Sequence, residues 1–309
     1  MVNAMKKATM KDIAAEANVS VATVSYVLNN AENQSIPAET KERVLQIAKK
    51  LNYVPNLAAR SLVKQKTGLI GILLNRSAQE GVWRRAHHAE FIFELEQLLT
   101  KQGYHVVLSS IDVEKPNLEI IAERKLDGVF LIDVREDFFY SISKTVPTGV
   151  PLVLVDSVID DELFYKVMYD YQGAFSAAKN QLERESAVII MEKFHNAGLT
   201  EKIKKASGLA EENIHLMENE KGLAAFLAKN SDRSAIILNE FLAGTVSKYR
   251  NIEGDAVICT SNCPEILPAE AKTVLFKNSK ATIAFRVLSD LIKDNRGLHL
   301  QKYTYLPAE

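Results

Sequence analysis

The stretch Thr9-Met-Lys-Asp-Ile-Ala-Ala-Glu-Ala-Asn-Val-Ser-Val-Ala-Thr-Val-Ser-Tyr-Val-Leu-Asn29 reads as two short helices and the turn between them. Thr9 and Asp12 make a capping box, with Asp in place of the usual Glu. Ile13, Ala14 and Ala17 follow at helical spacing. Asn18 breaks the run and Val19 packs inward. Ser20 then caps a second helix whose apolar positions are Val24, Val27 and Leu28. Two helices of about eight residues with so short a turn between them form a helix-turn-helix. A third helix is predicted from near Pro37, a residue suited to a first turn. It would bury Val44, Ile47, Ala48 and Leu51.

In such a unit the second helix enters the DNA major groove by its N-terminal end. The residues predicted to be exposed there are Val21, Ala22, Thr23, Ser25, Tyr26 and Asn29. Val21 and Ala22 can meet a thymine methyl but cannot make a bidentate hydrogen bond, which leaves Tyr26 as the one long polar reader. Ser20, Thr23, Ser25 and Asn29 carry short donors suited to phosphate oxygens, which fix register rather than sequence. Charge agrees. Residues 1–66 hold ten Lys/Arg against five Asp/Glu, leaving 28 against 34 in the rest, so a basic head joins an acidic body. Spacing alone leaves a three-helix protein-binding module open as the alternative.

The quoted block resembles the lac repressor/galactose repressor family of bacterial transcriptional regulators. So do Tyr53-Val-Pro-Asn-Leu-Ala-Ala-Arg-Ser-Leu62 and Thr67-Gly-Leu-Ile-Gly71, at the matching separation. The resemblance implies base readers at Val21, Ala22 and Tyr26, with Tyr26 standing where Arg is common. It implies further DNA contacts at Thr9, Ser20, Thr23, Ser25, Asn29, Tyr53 and Asn56. It also implies a hinge helix that pairs with its dimer mate and wedges Leu62, with Ala59 beside it, into the minor groove, kinking the duplex. A plain helical linker is the other reading of that stretch.

From Thr67 on, apolar runs of strand length, such as Leu69–Leu74, Gly128–Ile132, Ala187–Ile190 and Ala235–Leu238, alternate with amphipathic stretches such as Glu90–Gln102 and Ala281–Lys293. That alternation predicts parallel sheets flanked by helices. The resemblance implies that they form a two-lobed, periplasmic-binding-protein-like core. The expected fold is therefore a small all-α helix-turn-helix head plus an α/β two-lobed body. The expected domains are a head at 8–55, a hinge helix and linker at 56–66, and a body at 67–309. Lobe 1 is placed at about 67–170 and 279–295, lobe 2 at about 171–278 and 296–309.

The residues expected at the interlobe cleft are Arg84, Arg85, Asp156 and Asn262. Arg84 and Arg85 read either as a grip on an anionic effector or as a solvated basic patch. Asp156, ending a strand, serves the cleft or a turn. Asn262 lies where the family's late Asp would be, and the family's second-lobe Arg is absent from Met191-Glu-Lys-Phe-His-Asn-Ala-Gly-Leu199. His87 and His88 are adjacent, diverge on a helix and read as no metal site. Cys259 and Cys263 read as reduced thiols.

No catalytic spacing or phosphate-binding loop stands out, so an enzyme is not expected, and neither cofactor nor metal is. No apolar run reaches the roughly 18 residues of a membrane span, and Met1–Met10 lacks the apolar core of a signal peptide. A cytoplasmic chain without a membrane partner is the expectation. Its expected role is a transcriptional repressor binding a pseudo-palindromic double-stranded operator as a homodimer, modulated by a sugar-like or related small effector. The alternative is a regulator whose cleft has lost small-molecule binding and answers to a protein partner.

Overall fold

The structure is a computed structural model that describes residues 8–28, 34–53, 66–77, 80–114, 118–184, 186–293 and 301–309. Asn29, Asn56, Ala59, Leu62 and nearly all of the expected hinge lie outside the described residues. The chain divides into two compact units, Met1–Thr67 and Gly68–Glu309.

The first unit contains α1 (Met10–Ala17), α2 (Val21–Leu28) and α3 (Ala38–Lys50). The capping box forms: Asp12 N–H donates to Thr9 Oγ1 at 3.4 Å and Thr9 N–H donates to Asp12 Oδ2 at 2.7 Å. Asn18 ends α1 in the left-handed region at φ 52, a conformation its short polar side chain tolerates. The chain thereby doubles back, and Val19 N–H reaches Ala14 O at 3.0 Å. Ser20 Oγ accepts from Thr23 N–H at 3.0 Å and starts α2. Pro37 occupies the cap position before α3 rather than its first turn, and offers no side-chain cap bond. Ile13, Ala17, Val24, Val27 and Val44 make the shared core, with Ile47, Leu51 and Tyr53 packed at its edge.

The second unit holds two parallel sheets. The first is built from β1 (Leu69–Arg76), β2 (His105–Asp112), β3 (Gly128–Ile132), β4 (Leu152–Val155), β5 (Tyr165–Tyr169) and, at its edge, the C-terminal strand Tyr303–Leu306. The second contains β6 (Ala187–Glu192), β7 (Ile214–Met217), β8 (Ser234–Leu238), β9 (Ala256–Ile258) and β10 (Lys272–Val274). Strand order is 2-1-3-4-5 in the first, with the C-terminal strand beyond β5, and 7-6-8-9-10 in the second. Among the helices that matter below, α4 (Val82–His87) and α5 (Ala89–Lys101) follow β1, α6 (Glu119–Glu123) precedes β3 and α7 (Glu136–Thr145) follows it. Then come α8 (Tyr171–Gln181), α9 (Ala197–Ser207), α10 (Glu220–Lys229), α11 (Glu240–Val246) and α12 (Lys280–Lys293).

One boundary is corrected. The C-terminal strand, β11 (Tyr303–Leu306), was expected with lobe 2 but runs parallel to β5, with Tyr305 beside Met168. The edge of β5 would otherwise leave backbone groups unpaired. Lys166 N–H donates to Lys302 O and Asp170 N–H to Leu306 O, both at 2.8 Å. Beyond it, Phe276 and Ala308 form an antiparallel bridge, so the last residues of the chain return to the segment after β10. α12 packs on α5 and on β4 and β5. The approach is tight at Gly128, where a Cβ would come within 2.9 Å of Leu288.

Ile13 is fully buried at the centre of a core this small. Ile13→Ala should cost about 2–5 kcal/mol, read as lost hydrogen-exchange protection across α1–α3 with the amides of β1 and β3 unaffected.

Candidate functional site

In the first unit, α2 presents Val21 (42% exposed), Ala22 and Tyr26 (40% exposed) to solvent, while Val24 and Val27 anchor the opposite face. Ser20 is exposed, and Thr23 and Ser25 are half-buried. Ser20 Oγ and Thr23 Oγ1 lie 2.8 Å apart, so one hydroxyl donates to the other and the second keeps its proton for another acceptor. Thr9 is exposed and holds its own capping box; Tyr53 is half-buried, with its N–H donating to Ala48 O at 2.9 Å. The helix N-terminus thus offers a small apolar surface with one phenol beside it.

In the second unit the two sheets have switch points between β1 and β3 and between β6 and β8. Open parallel sheets place ligand sites at the carboxyl ends of their strands at such points. Polar residues collect at those ends. Asp133 follows β3 at φ 50 and accepts the backbone N–H groups of His195 (3.1 Å) and Asn196 (2.9 Å) from the second lobe. Arg84 on α4 pairs with Asp133, donates to Lys193 O and lies 3.8 Å from Glu80. Glu80 meets His195 Nε2 at 2.9 Å. Asn196 caps α9 through Leu199 N–H at 2.7 Å and returns its amide to Val134 O at 2.8 Å.

A second group lies beside it. His87 Nδ1 contacts Asn239 Nδ2 and lies 3.2 Å from Glu192 Oε1 at the end of β6 and 3.3 Å from Ser261 Oγ. Asn239, at φ 91 after β8, caps α11 through Phe241 N–H at 2.7 Å. Asp156, after β4 at φ 49, pairs with Lys280, whose Nζ sits 4.5 Å over the Tyr169 ring. Tyr169 stacks on Phe276 and its hydroxyl donates to Thr260 O at 3.0 Å. The two lobes are therefore joined by a buried polar network, not by apolar contact alone.

Burial governs the ionisation of these groups. It pushes the Glu192 carboxyl up to about 7, against the pull of Arg84. Burial raises Asp133 as well, opposed by Arg84 and the two backbone donors. Burial also works against the Arg84 charge, but Asp133, Glu192 and Glu80 outweigh it and hold the guanidinium charged. Burial, with Lys280 and Arg84 adding to it, keeps His87 and His88 well below the usual imidazole range.

The expected cleft residues fall in different places. Asp156, read as a cleft or a turn residue, is fully buried and ion-paired with Lys280. Arg84 is in the network with its charge already answered, rather than free for an anion. Arg85 and Asn262 are exposed; Asn262 takes φ 59 in a turn whose neighbours Ser261 and Cys263 donate to Glu240. The expectation that His87 and His88 diverge fails because α4 ends at His87. His88 caps it and α5 begins anew, so the two rings meet edge to face at 4.6 Å. Asp133, Glu192, Asn239 and Lys280 were missed. A legible signal existed for three of them: each is a polar residue ending or directly following a strand-like apolar run.

Comparisons with known proteins agree with this architecture. Residues 9–56 match the profile described as bacterial regulatory proteins, lacI family. Catabolite control protein A of Staphylococcus xylosus is 29% identical over 58% of this chain and 53% of its own length. The HTH-type transcriptional repressor PurR of Aliivibrio salmonicida is 31% identical over 57% and 52% respectively. The chain spans about half the length of these curated relatives. The crystal structure of the lac repressor dimer bound to operator and the anti-inducer ONPF superimposes with a TM-score of 0.71 at 16% identity, over 98% of this chain and 97% of that one, which establishes the shared fold. The head therefore matches the lacI family of bacterial regulatory proteins over residues 9–56, and beyond it the chain is similar in sequence to these relatives and in fold to the lac repressor.

Proposed function

We propose that the chain is a DNA-binding transcriptional repressor that grips a pseudo-palindromic operator as a homodimer. The observation that carries the reading is the exposed N-terminal face of α2, Val21, Ala22 and Tyr26, on a capped helix within the matched segment. In this reading α2 enters the major groove. Val21 and Ala22 pack on thymine methyls, and Tyr26 reaches a base edge. Thr9, Ser20, Thr23, Ser25, Asn29, Tyr53 and Asn56 hold phosphates and set the register. Ala59 and Leu62 open the minor groove at the operator centre. The relatives are named as regulators and repressors, and one structural neighbour is a repressor dimer on its operator.

The body supplies control. A regulator of this design needs two lobe arrangements and a ligand that favours one of them. The buried network just described is the element such a ligand would bias. A cellobiose complex of a regulator with this fold supports a small-molecule effector. The second reading is a cleft that has lost small-molecule binding and answers to a protein partner; what speaks for it is the burial of Asp133, His87, Glu192 and Asn239. Footprints repeated with sugars, sugar phosphates and nucleobases separate the two, since one is altered by a metabolite and the other by none.

Footprinting on the chain's own upstream region should reveal a two-fold site with half-sites about 34–36 Å apart. No protection at low salt would contradict the reading. Tyr26→Ala should weaken the specific site by about 1–3 kcal/mol while leaving the steep salt dependence of non-specific binding in place. Leu62→Ala should weaken operator binding with the fold intact. In the body, Asp133→Ala leaves Arg84 without its buried partner and should destabilise the chain by about 3–5 kcal/mol in urea unfolding; a loss under 1 kcal/mol would show that the network does not hold the lobes.

A further inference from the structure

We propose that His87, His88 and Asp156 form a binding site for a divalent transition-metal ion. A ring nitrogen of each histidine and a carboxylate oxygen of Asp156 lie within 4.8 Å of one another, and all three residues are buried, at 2%, 3% and 0% exposure. Each also carries one buried polar atom without a hydrogen-bond partner: His87 Nε2, His88 Nδ1 and Asp156 Oδ1. A buried polar atom left unpaired costs free energy. Three such atoms on three adjoining residues therefore point to a shared ligand. Two imidazoles and one carboxylate are a set that first-row divalent ions accept, with coordination positions left open. Ligands about 2.0–2.2 Å from one ion stand about 3.3–3.6 Å apart in a tetrahedral site, so the closing needed between any two of these atoms is at most about 1.5 Å.

The surroundings suit an ion. Both rings are held neutral, the form that ligates. Lys280 occupies only Oδ2 of Asp156 and leaves Oδ1 available. Three carboxylates, Glu80, Asp133 and Asp156, stand near three cations, Arg76, Arg84 and Lys280, so the surroundings carry no excess of positive charge. Glu192 supplies a further feature. Its Oε1 lacks a hydrogen bond and lies 3.2 Å from His87 Nδ1. An ion on Nε2 places the ring proton on Nδ1, where Glu192 accepts it, the carboxylate–histidine–metal arrangement that orients a ligand. His87 then exchanges Asn239 as donor for Glu192 as acceptor. Because both partners belong to the second lobe, ion binding changes the bond that joins the lobes.

That regulatory consequence rests on the reading of the chain as a DNA-binding regulator; the ion binding does not. The test therefore uses the full chain without DNA. Stripped with a chelator and titrated with Co2+, it should bind one ion per chain and develop visible ligand-field absorption, which Zn2+ should abolish by competition. His88→Gln and Asp156→Asn should each weaken binding by more than the roughly 10–100-fold that losing an outer-shell partner costs. His105→Gln, at an exposed histidine, should leave it unchanged. Far-UV circular dichroism establishes that each variant folds. Should one not fold, the rise in melting temperature of the wild type with Zn2+, abolished in the other variant, decides the matter. Absence of ion binding below about 1 mM, or affinity unchanged in both variants, would overturn the proposal. Ion binding by a chain that protects no operator would sink the regulator reading and leave the site standing.

Discussion

Asp133 stands one residue past β3 with its side chain almost wholly buried, and its described partners belong to other segments: Arg84 of α4 and the amides of His195 and Asn196. Removing a carboxylate and a guanidinium from water costs several kcal/mol for each ion unless geometry and further hydrogen bonds offset it. The two backbone donors and the Lys193 carbonyl do so here. The same carboxylate therefore both needs the second lobe and holds it. Asn196 extends the constraint by capping α9 while reaching back to Val134 and Val158. An interface of this kind has one arrangement in which all charges are answered, and others in which some are not. Under the proposed function, this is the element on which a switch between lobe arrangements would act.

The head follows a different logic. Its core is a few small apolar side chains, and its helix ends are fixed by Thr9, Asn18 and Ser20. What it presents is chemically sparse. Val21 and Ala22 offer shape and methyl contact, and Tyr26 one hydroxyl. Under the proposed function, discrimination by such a surface would rest on apolar fit and on the doubling that a dimer brings, with phosphate contacts supplying strength. Among the described residues, no helix is long and apolar enough to cross a membrane.

The head was legible because capping and periodicity are local: Thr9, Asn18, Ser20 and the spacing from Ile13 to Leu28 carry their own explanation. Strand and helix alternation in the body was legible for the same reason. The network was not, since it joins residues far apart in the chain, such as His87 with Asn239 or Asp156 with Lys280. Asp156 reads as a turn until Lys280 is seen beside it. His87 and His88 read as divergent until the break at His88 is known. β11 was misplaced because its partner, the exposed edge of β5, is a property of the sheet and not of Tyr303–Leu306 itself.

The most direct measurement is selection of binding sites from a random duplex pool by the wild type and by Tyr26→Arg. The account predicts a two-fold symmetric site whose half-sites, under Tyr26→Arg, change at one position each, toward guanine, the base that arginine pairs with bidentately. Recovery of no enriched sequence by the wild type, or of the same site by both proteins, would contradict it.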